Sequence, residues 1–478
     1  MKNGKISSAN RRTGGGSPAL ERLSRWGVPL LATAFFVFVC VYRIWKFRSN
    51  LYDYGWFANL ISSLARGDGF EASLYMQRFG TNAIGDHALF GFAFLAPLAK
   101  IFGGEYFLAA IGGICAGLAV FMIPPLVKAI TGKENARMAL MLQLGLILNP
   151  MFFMPALTFH IESAFSFLIL VAIWALHRGK DWILWVCVLL LLTASERASV
   201  SVFGLGIYAF LMLGRQRLGV GLAALSTVYF FAACYVIIPA LSGIEYTYAR
   251  YAGPFVDIPK KILYVIFAYG LWLFLPLSGA RARLASLGAW PMIGLNLMAN
   301  KDEQYWKLGI YNDTMVLFLM VAAIYGLANK WDKIAHKGRI CAVLGVVCAV
   351  FLTSRAARDL RPMRYAPSPR ALRALLVPYK IVGDDITVIA NDRLTPYFSG
   401  NRRLNYVDNW NIEAARVRTV FTFGKHFETN FLGDNSPYDE VQRPQTWAEV
   451  LPRLLANPHL HLVAENEYGA VWSTKDLY

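Results

Sequence analysis

Charge is scarce in this sequence. Asp, Glu, Lys and Arg make up 16% of 478 residues, against 56% hydrophobic and 14% aromatic, a balance that excludes an ordinary soluble enzyme. Cysteine is sparse too, and it carries no recognisable chemistry. Cys40, Cys115, Cys187, Cys234, Cys341 and Cys348 all lie in apolar segments, and none has the spacing of a zinc or redox motif. They read as small buried hydrophobes. No internal repeat is visible, which weighs against a transporter built from duplicated halves. The first apolar run lacks a small-residue cleavage pattern and reads as an uncleaved anchor. Residues 1–26 are polar and basic, with "TGGGS" among them, and read as a disordered cytoplasmic tail.

What is present is a series of apolar runs of roughly 17 to 25 residues, the length a helix needs to cross a hydrocarbon core. They predict an α-helical polytopic membrane protein with about eleven spans, near 27–45, 107–127, 138–155, 161–177, 182–196, 198–213, 218–240, 262–279, 284–299, 309–328 and 340–354. Residues 138–176 taken as one helix would measure nearly 60 Å at about 1.5 Å per residue, and "NPMFFMP" in its middle carries two prolines that break it. Residues 182–213 divide in the same way at "SER", where Glu196 and Arg197 would otherwise face lipid.

The formal charge of +17 is spread over short connections. It does not form the stripe that would mark a nucleic-acid partner. Basic residues before the first span, then "KAITGKENAR", "HRGKD", "GRQR", "ARAR" and "NKWDKIAHKGR", recur at every second connection, and the positive-inside rule puts that side in the cytoplasm. The alternation holds only if "ALFGFAFLAPLAKIF", 88–102, does not cross and lies in the outer interface. The domains follow: tail 1–26, transmembrane domain 27–354 with a first outer loop 46–106, Arg-rich linker 355–373, and a small α/β domain 374–478. The last has short strands at "ITVIA", "LNYV" and "VRTVFTF", a helix at "TWAEVLPRLLA" and a closing hairpin. An odd number of spans makes it extracytoplasmic, against the charge preference of the arginines in "SRAARDLRPMRYAPSPRALR", which in that place would meet lipid phosphates. The chain is thus expected in a cell (inner) membrane with its N-terminus cytoplasmic.

Polar residues that look out of place collect in the outer loops: Asp53 in "NLYDYGWFANLI", Asp86 and His87 in "IGDHALF", His160 and Glu162 in "TFHIESAF", Glu196 and Arg197 in "ASERAS". Ionisable groups at span ends usually pair or line a cavity. Each also has a plainer role: Asp53 and Asp86 as helix N-caps, His160 and Glu162 as interface residues at a span start, Glu196 with Arg197 as a local turn pair. Asp86, His87, His160 and Glu162 are ligand types that suit a divalent metal, but no spacing among them is diagnostic, and no cofactor is assigned.

"YDYGWFANLISSLARGDGF", "GDHALFGFAFLAPLAKIF", "NPMFFMPALTFHIESAFSFLILVAIWAL" and "ASERASVSVFGLGIYAF" follow one another much as in the prokaryotic membrane proteins of domain-of-unknown-function family 2079. That family looks like a branch of the GT-C glycosyltransferase superfold. The resemblance covers most of 45–330; its most specific parts are "YDYG", "GDH" and "FHIES". Members often have a Lys before the acid where this chain has Ser195, and a late His-Tyr pair is replaced here by "YNDT".

The resemblance implies a membrane glycosyltransferase that moves a sugar from a polyprenyl-phosphate donor to an acceptor at the outer face, with membrane lipids as neighbours. The essential acid of the first outer loop becomes Asp53, a general base for the acceptor hydroxyl. Tyr52, Tyr54 and Trp56 would offer ring faces to sugar or isoprenoid. Arg197, Arg250, Lys260 and Lys261 are candidate cations for the leaving phosphate, and His87 and His160 would donate to it or orient Asp53. The alternatives are a lipid or glycan transporter and a non-catalytic envelope-assembly protein.

Overall fold

A computed structural model describes residues 17–47, 52–157, 159–246, 257–269, 275–299, 313–360, 369–391, 393–406, 412, 415–425 and 447–477. The chain is mostly helical. In order come α1 Pro18–Trp45, α2 Tyr52–Arg66, α3 Ser73–Phe79, α4 Phe92–Phe102 and α5 Gly104–Thr131. Then follow α6 Ala136–Ile147, α7 Pro150–Ala156, α8 Ile161–Phe165, α9 Phe167–Arg178, α10 Asp181–Ala194, α11 Ala198–Leu213 and α12 Gln216–Ser242. The remaining bundle helices are α13 Ile258–Tyr269, α14 Ala280–Ser286, α15 Trp290–Met298, α16 Asp313–Lys330 and α17 Lys337–Leu360.

Among the described residues five helices are long and apolar enough to cross a membrane, or six if the bent pair α6 and α7 counts as one span, and four shorter apolar helices accompany them. The 66° bend between α6 and α7 has a local cause. Pro150 lacks an N–H to continue the helix, and the Asn149 side chain caps the restarted one by accepting from Met151 N. The turn between α10 and α11 is also local: Ser195 is extended, and its hydroxyl accepts from Ala198 N at 3.3 Å.

Close approach of α1 and α5 rests on small residues. A Cβ on Gly113 would lie 2.5 Å from Val37 N, and one on Gly117 1.8 Å from Thr33 Oγ1. This Gly-x-x-x-Gly spacing lets two backbones touch where no water drives helices together.

The bundle has two different ends. At one, basic connections meet: Arg215 forms a bidentate pair with Asp181 at 2.8 and 2.6 Å, and Asn329 Nδ2 donates to Ser278 O. At the other, α4 both begins and ends. Its preceding residue Gly91 donates to Thr193 O at the end of α10, and it runs directly into the start of α5. Phe94, Leu98, Ile101 and Phe102 line its exposed side, while its opposite side packs on α2 through Phe92 against Phe57.

The same end carries the C-terminal unit, in which α18 Pro369–Leu376 leads to a five-stranded sheet. Its strands are β1 Thr387–Ala390, β2 Leu404–Tyr406, β3 Thr419–Gly424, β4 Leu460–Glu465 and β5 Gly469–Thr474, with α19 Trp447–Ala456 before β4. The order is β2-β1-β3-β5-β4. β1 is parallel to β2 and β3, and β4 and β5 form an antiparallel hairpin. One apolar core runs from Phe47, Phe57 and Phe92 in the bundle to Leu372, Val388 and Phe398 in this unit, so it is packed against the bundle end.

Candidate active site at the capped end of the bundle

Three connections meet at this end, and glycine lets them meet. A Cβ on Gly85 would fall 2.4 Å from the Thr81 methyl and 3.3 Å from Ser242 Cβ, so only glycine fits between the 81–91 segment and the end of α12. Thr81 Oγ1 and Asn82 Nδ2 donate to the carbonyls of Ser242 and Leu241. The segment is thereby held against both α10 and α12.

Into that junction Glu196 projects, with 0% of its surface exposed. His87 Nδ1 lies 2.6 Å from its Oε1, Tyr246 OH donates to the same oxygen at 2.8 Å, and Ala88 N donates to Oε2 at 3.0 Å. Three donors converge on one buried carboxyl group, an arrangement that favours its ionised form. The result is a carboxylate that fixes one ring nitrogen of a histidine and so sets how the other can be used.

Arg197 has a separate partner. Its Nη2 donates to Asn296 Oδ1 on α15 at 2.8 Å, and Asn296 Nδ2 donates to Tyr264 OH on α13 at 2.8 Å. One turn earlier on α13, Lys261 donates to the Leu297 carbonyl at 2.7 Å. Two buried cations are thus anchored on consecutive residues at the end of α15. Glu196 and Arg197 each have a distant partner, so they are no local turn pair.

The other candidates divide. Lys260 is exposed and pairs with Asp257 at 3.4 Å. Asp86 is buried and closes the short turn Ala83–Gly85; the residue capping α4 is Gly91, so Asp86 is not its N-cap. His160 is buried edge-on to Phe57, 5.1 Å between rings, and Phe57 stacks on Phe92 at 5.3 Å, which links His160 to the start of α4. Position 53 is the second residue of α2, one turn before Phe57 on the same side of that helix. The side chains of Tyr52, Asp53 and Glu162 lie outside the described residues, as do Arg250 and residues 311–312 of "YNDT".

Tyr54 and Trp56 are buried. The Tyr54 hydroxyl donates to Glu105 O at 2.7 Å and accepts from Ala109 N at 3.1 Å, joining α2 to α5. Trp56 packs on Tyr75 of α3. Neither offers an open ring face. Sequence reasoning missed Asn296, Tyr246 and Arg43, whose Nη1 donates to Leu157 O at 3.1 Å. Asn296 and Arg43 did carry a signal: each is polar inside an apolar run. Among the described residues no three His, Cys, Asp or Glu side chains gather to hold a metal ion.

Fold and site together define a helical membrane protein in which Glu196, His87, Arg197 and Lys261 are held at one bundle end, beside an α/β unit packed on that end. A family model described as a predicted membrane protein (DUF2079) matches residues 43–431, and the chain belongs to that family. No curated protein matches its sequence. Among solved structures it resembles ArnT from Cupriavidus metallidurans bound to undecaprenyl phosphate, with a TM-score of 0.56, 12% identity, and coverage of 93% of this chain and 97% of that one. The apo state of the same protein gives 0.53, 11%, 88% and 92%. At that identity the likeness is one of fold, the GT-C type that the sequence resemblance implies.

Proposed function

We propose that the chain is a membrane glycosyltransferase that moves a sugar from a polyprenyl-phosphate donor to an acceptor hydroxyl at the outer face, with Asp53 as general base. The observation that carries this is the pair of buried cations, Arg197 and Lys261, anchored side by side on Asn296 and Leu297 at the end of the bundle that also carries the Glu196–His87 pair. The ArnT fold, solved with undecaprenyl phosphate, makes a polyprenyl phosphate the natural ligand to test.

The chemistry assigns roles. A hydroxyl is too weak an acid to attack an anomeric carbon unaided, so a carboxylate at position 53 takes its proton as the new bond forms. The glycosidic phosphate leaves with growing negative charge, and buried cations stabilise that charge more than water does. Arg197 and Lys261 take this role in preference to Lys260, which is exposed and bound to Asp257. His87, oriented by Glu196, donates to the phosphate. The capped end is the outer one, because the basic connections gather at the opposite end and positive charge stays inside. With eleven crossings the C-terminal unit is extracytoplasmic, and α4 lies in the outer interface with its exposed apolar side in lipid.

Comparing lipid-linked sugars and surface glycans between cells with and without the gene identifies the product. Asp53→Asn, at unchanged protein level, is expected to lose that product. Full retention removes the proposal.

A further inference from the structure

Glu105, the second residue of α5, is buried, and the C-terminal unit holds it from two sides. Arg373 Nη1 lies 3.1 Å from its Oε1 and Lys380 Nζ 3.0 Å from its Oε2, across sequence separations of 268 and 275 residues. Both cations also lie over Tyr397, at 4.9 and 4.8 Å.

Arg373 reaches further. Its Nη2 donates to Trp45 O, the last residue of α1, at 3.2 Å, and its guanidinium lies 4.7 Å over the Phe47 ring. Phe47 has φ +53°, a left-handed conformation that a bulky side chain adopts only when its surroundings impose it. The ring is buried between Arg373 and Tyr397. The chain therefore leaves α1 through a turn clamped by the C-terminal unit and enters α2 a few residues later.

The entry into α2 is tied to the same place. Tyr54, next to Asp53, bonds the Glu105 carbonyl, so one residue receives the C-terminal unit on its side chain and the start of α2 on its backbone. Further along α2, Asn59 Nδ2 donates to Ser399 O and Arg66 Nη1 to Gly400 O. At the start of α3, Ser73 and Leu404 exchange two hydrogen bonds.

We propose that Glu105 and Arg373 are positioning residues that seat the start of α2, and with it Asp53, so that the C-terminal unit is a working part of the reaction site. This rests on the assignment of Asp53 above. An arginine suits the task because its planar fork bonds a carboxylate and a carbonyl while its face stacks on aromatic rings.

The test uses the full chain in detergent and in cells. Arg373→Met is expected to speed amide hydrogen exchange over residues 52–58 by about tenfold and to lower the glycan product at equal protein level. Exchange over 198–213 and the affinity for undecaprenyl phosphate should stay within about twofold, a split that general loss of folding does not produce. Arg373→Lys should restore part of both losses, and Glu105→Gln, nearly the same shape, should reproduce them if Arg373→Met does not accumulate. Arg402→Met, which breaks the exposed contact of the C-terminal unit with Asp68, should leave exchange and product at wild-type values. Unchanged exchange over 52–58, or full product, in both Arg373→Met and Glu105→Gln overturns the seating role. If Asp53→Asn keeps its product, the reading of Asp53 fails instead, and the exchange result still reports whether the clamp exists.

Discussion

At the scale of single residues, Glu196 is the most constrained group. It accepts from a ring nitrogen, a phenol and a backbone amide while buried, so Glu196→Gln turns an acceptor into a donor facing other donors. Breaking a buried pair on one side costs about 3–5 kcal/mol; a clear drop in melting temperature in detergent is expected, and a double-mutant cycle with His87→Asn should give a coupling well above zero. Tyr54→Phe removes a hydroxyl that bridges Glu105 O and Ala109 N, which as an i, i+4 pair of α5 can still bond each other, and should cost about 0.5–1.5 kcal/mol, read by the same melts. Binding separates the cations: Arg197→Gln or Lys261→Gln should weaken undecaprenyl phosphate at least about tenfold, the size of one lost charged hydrogen bond, whereas Lys260→Gln should leave it unchanged. His87, His160, Glu196 and Arg197 stand out in the sequence because ionisable groups are rare in an apolar chain. Their pairing was not, since His87 and Glu196 are 109 residues apart and nothing local records which turn meets which. Tyr54 and Trp56 look like open aromatic faces in the sequence; tertiary packing spends them on helix contacts instead.

At the scale of elements, the bundle depends on close helix contacts as much as on hydropathy. Gly117→Val puts side-chain atoms where Thr33 already stands, and overpacking of this kind costs about 1–3 kcal/mol. Reduced yield of folded protein and a lower melting temperature are expected, with Gly338→Val, where an added Cβ meets nothing within 4 Å, as the neutral control. Helix ends were readable where a turn has its own chemistry: the span expected at 198–213 is Ala198–Leu213, preceded by the Ser195 hydroxyl bond. They were less readable where a span is interrupted. The expected 138–155 segment bends by 66° at its middle, and the expected 284–299 span is assembled from α14, a short turn and α15. Average hydropathy over a window does not register a kink.

At the scale of the whole molecule, the two ends differ in charge and in what covers them. Reporter fusions near Gly132 and near Asp434 should give opposite readouts, cytoplasmic and outer; matching readouts would overturn the proposed orientation. The hydrophobic runs alone made this a membrane protein, because the cost of placing each residue in hydrocarbon is local and nearly additive along the chain, and a sequence records it directly. The period and turn chemistry of the last hundred residues likewise announced a small α/β unit. Only the tertiary structure decided that Glu196 holds His87, that Arg197 and Lys261 share the end of α15, and that Arg373 clamps Glu105 and the turn at Phe47. Each is a contact between segments about a hundred or more residues apart, or between separate helices, and such contacts follow from how helices pack. Packing depends on the shapes of all the helices together, which no single stretch of sequence contains.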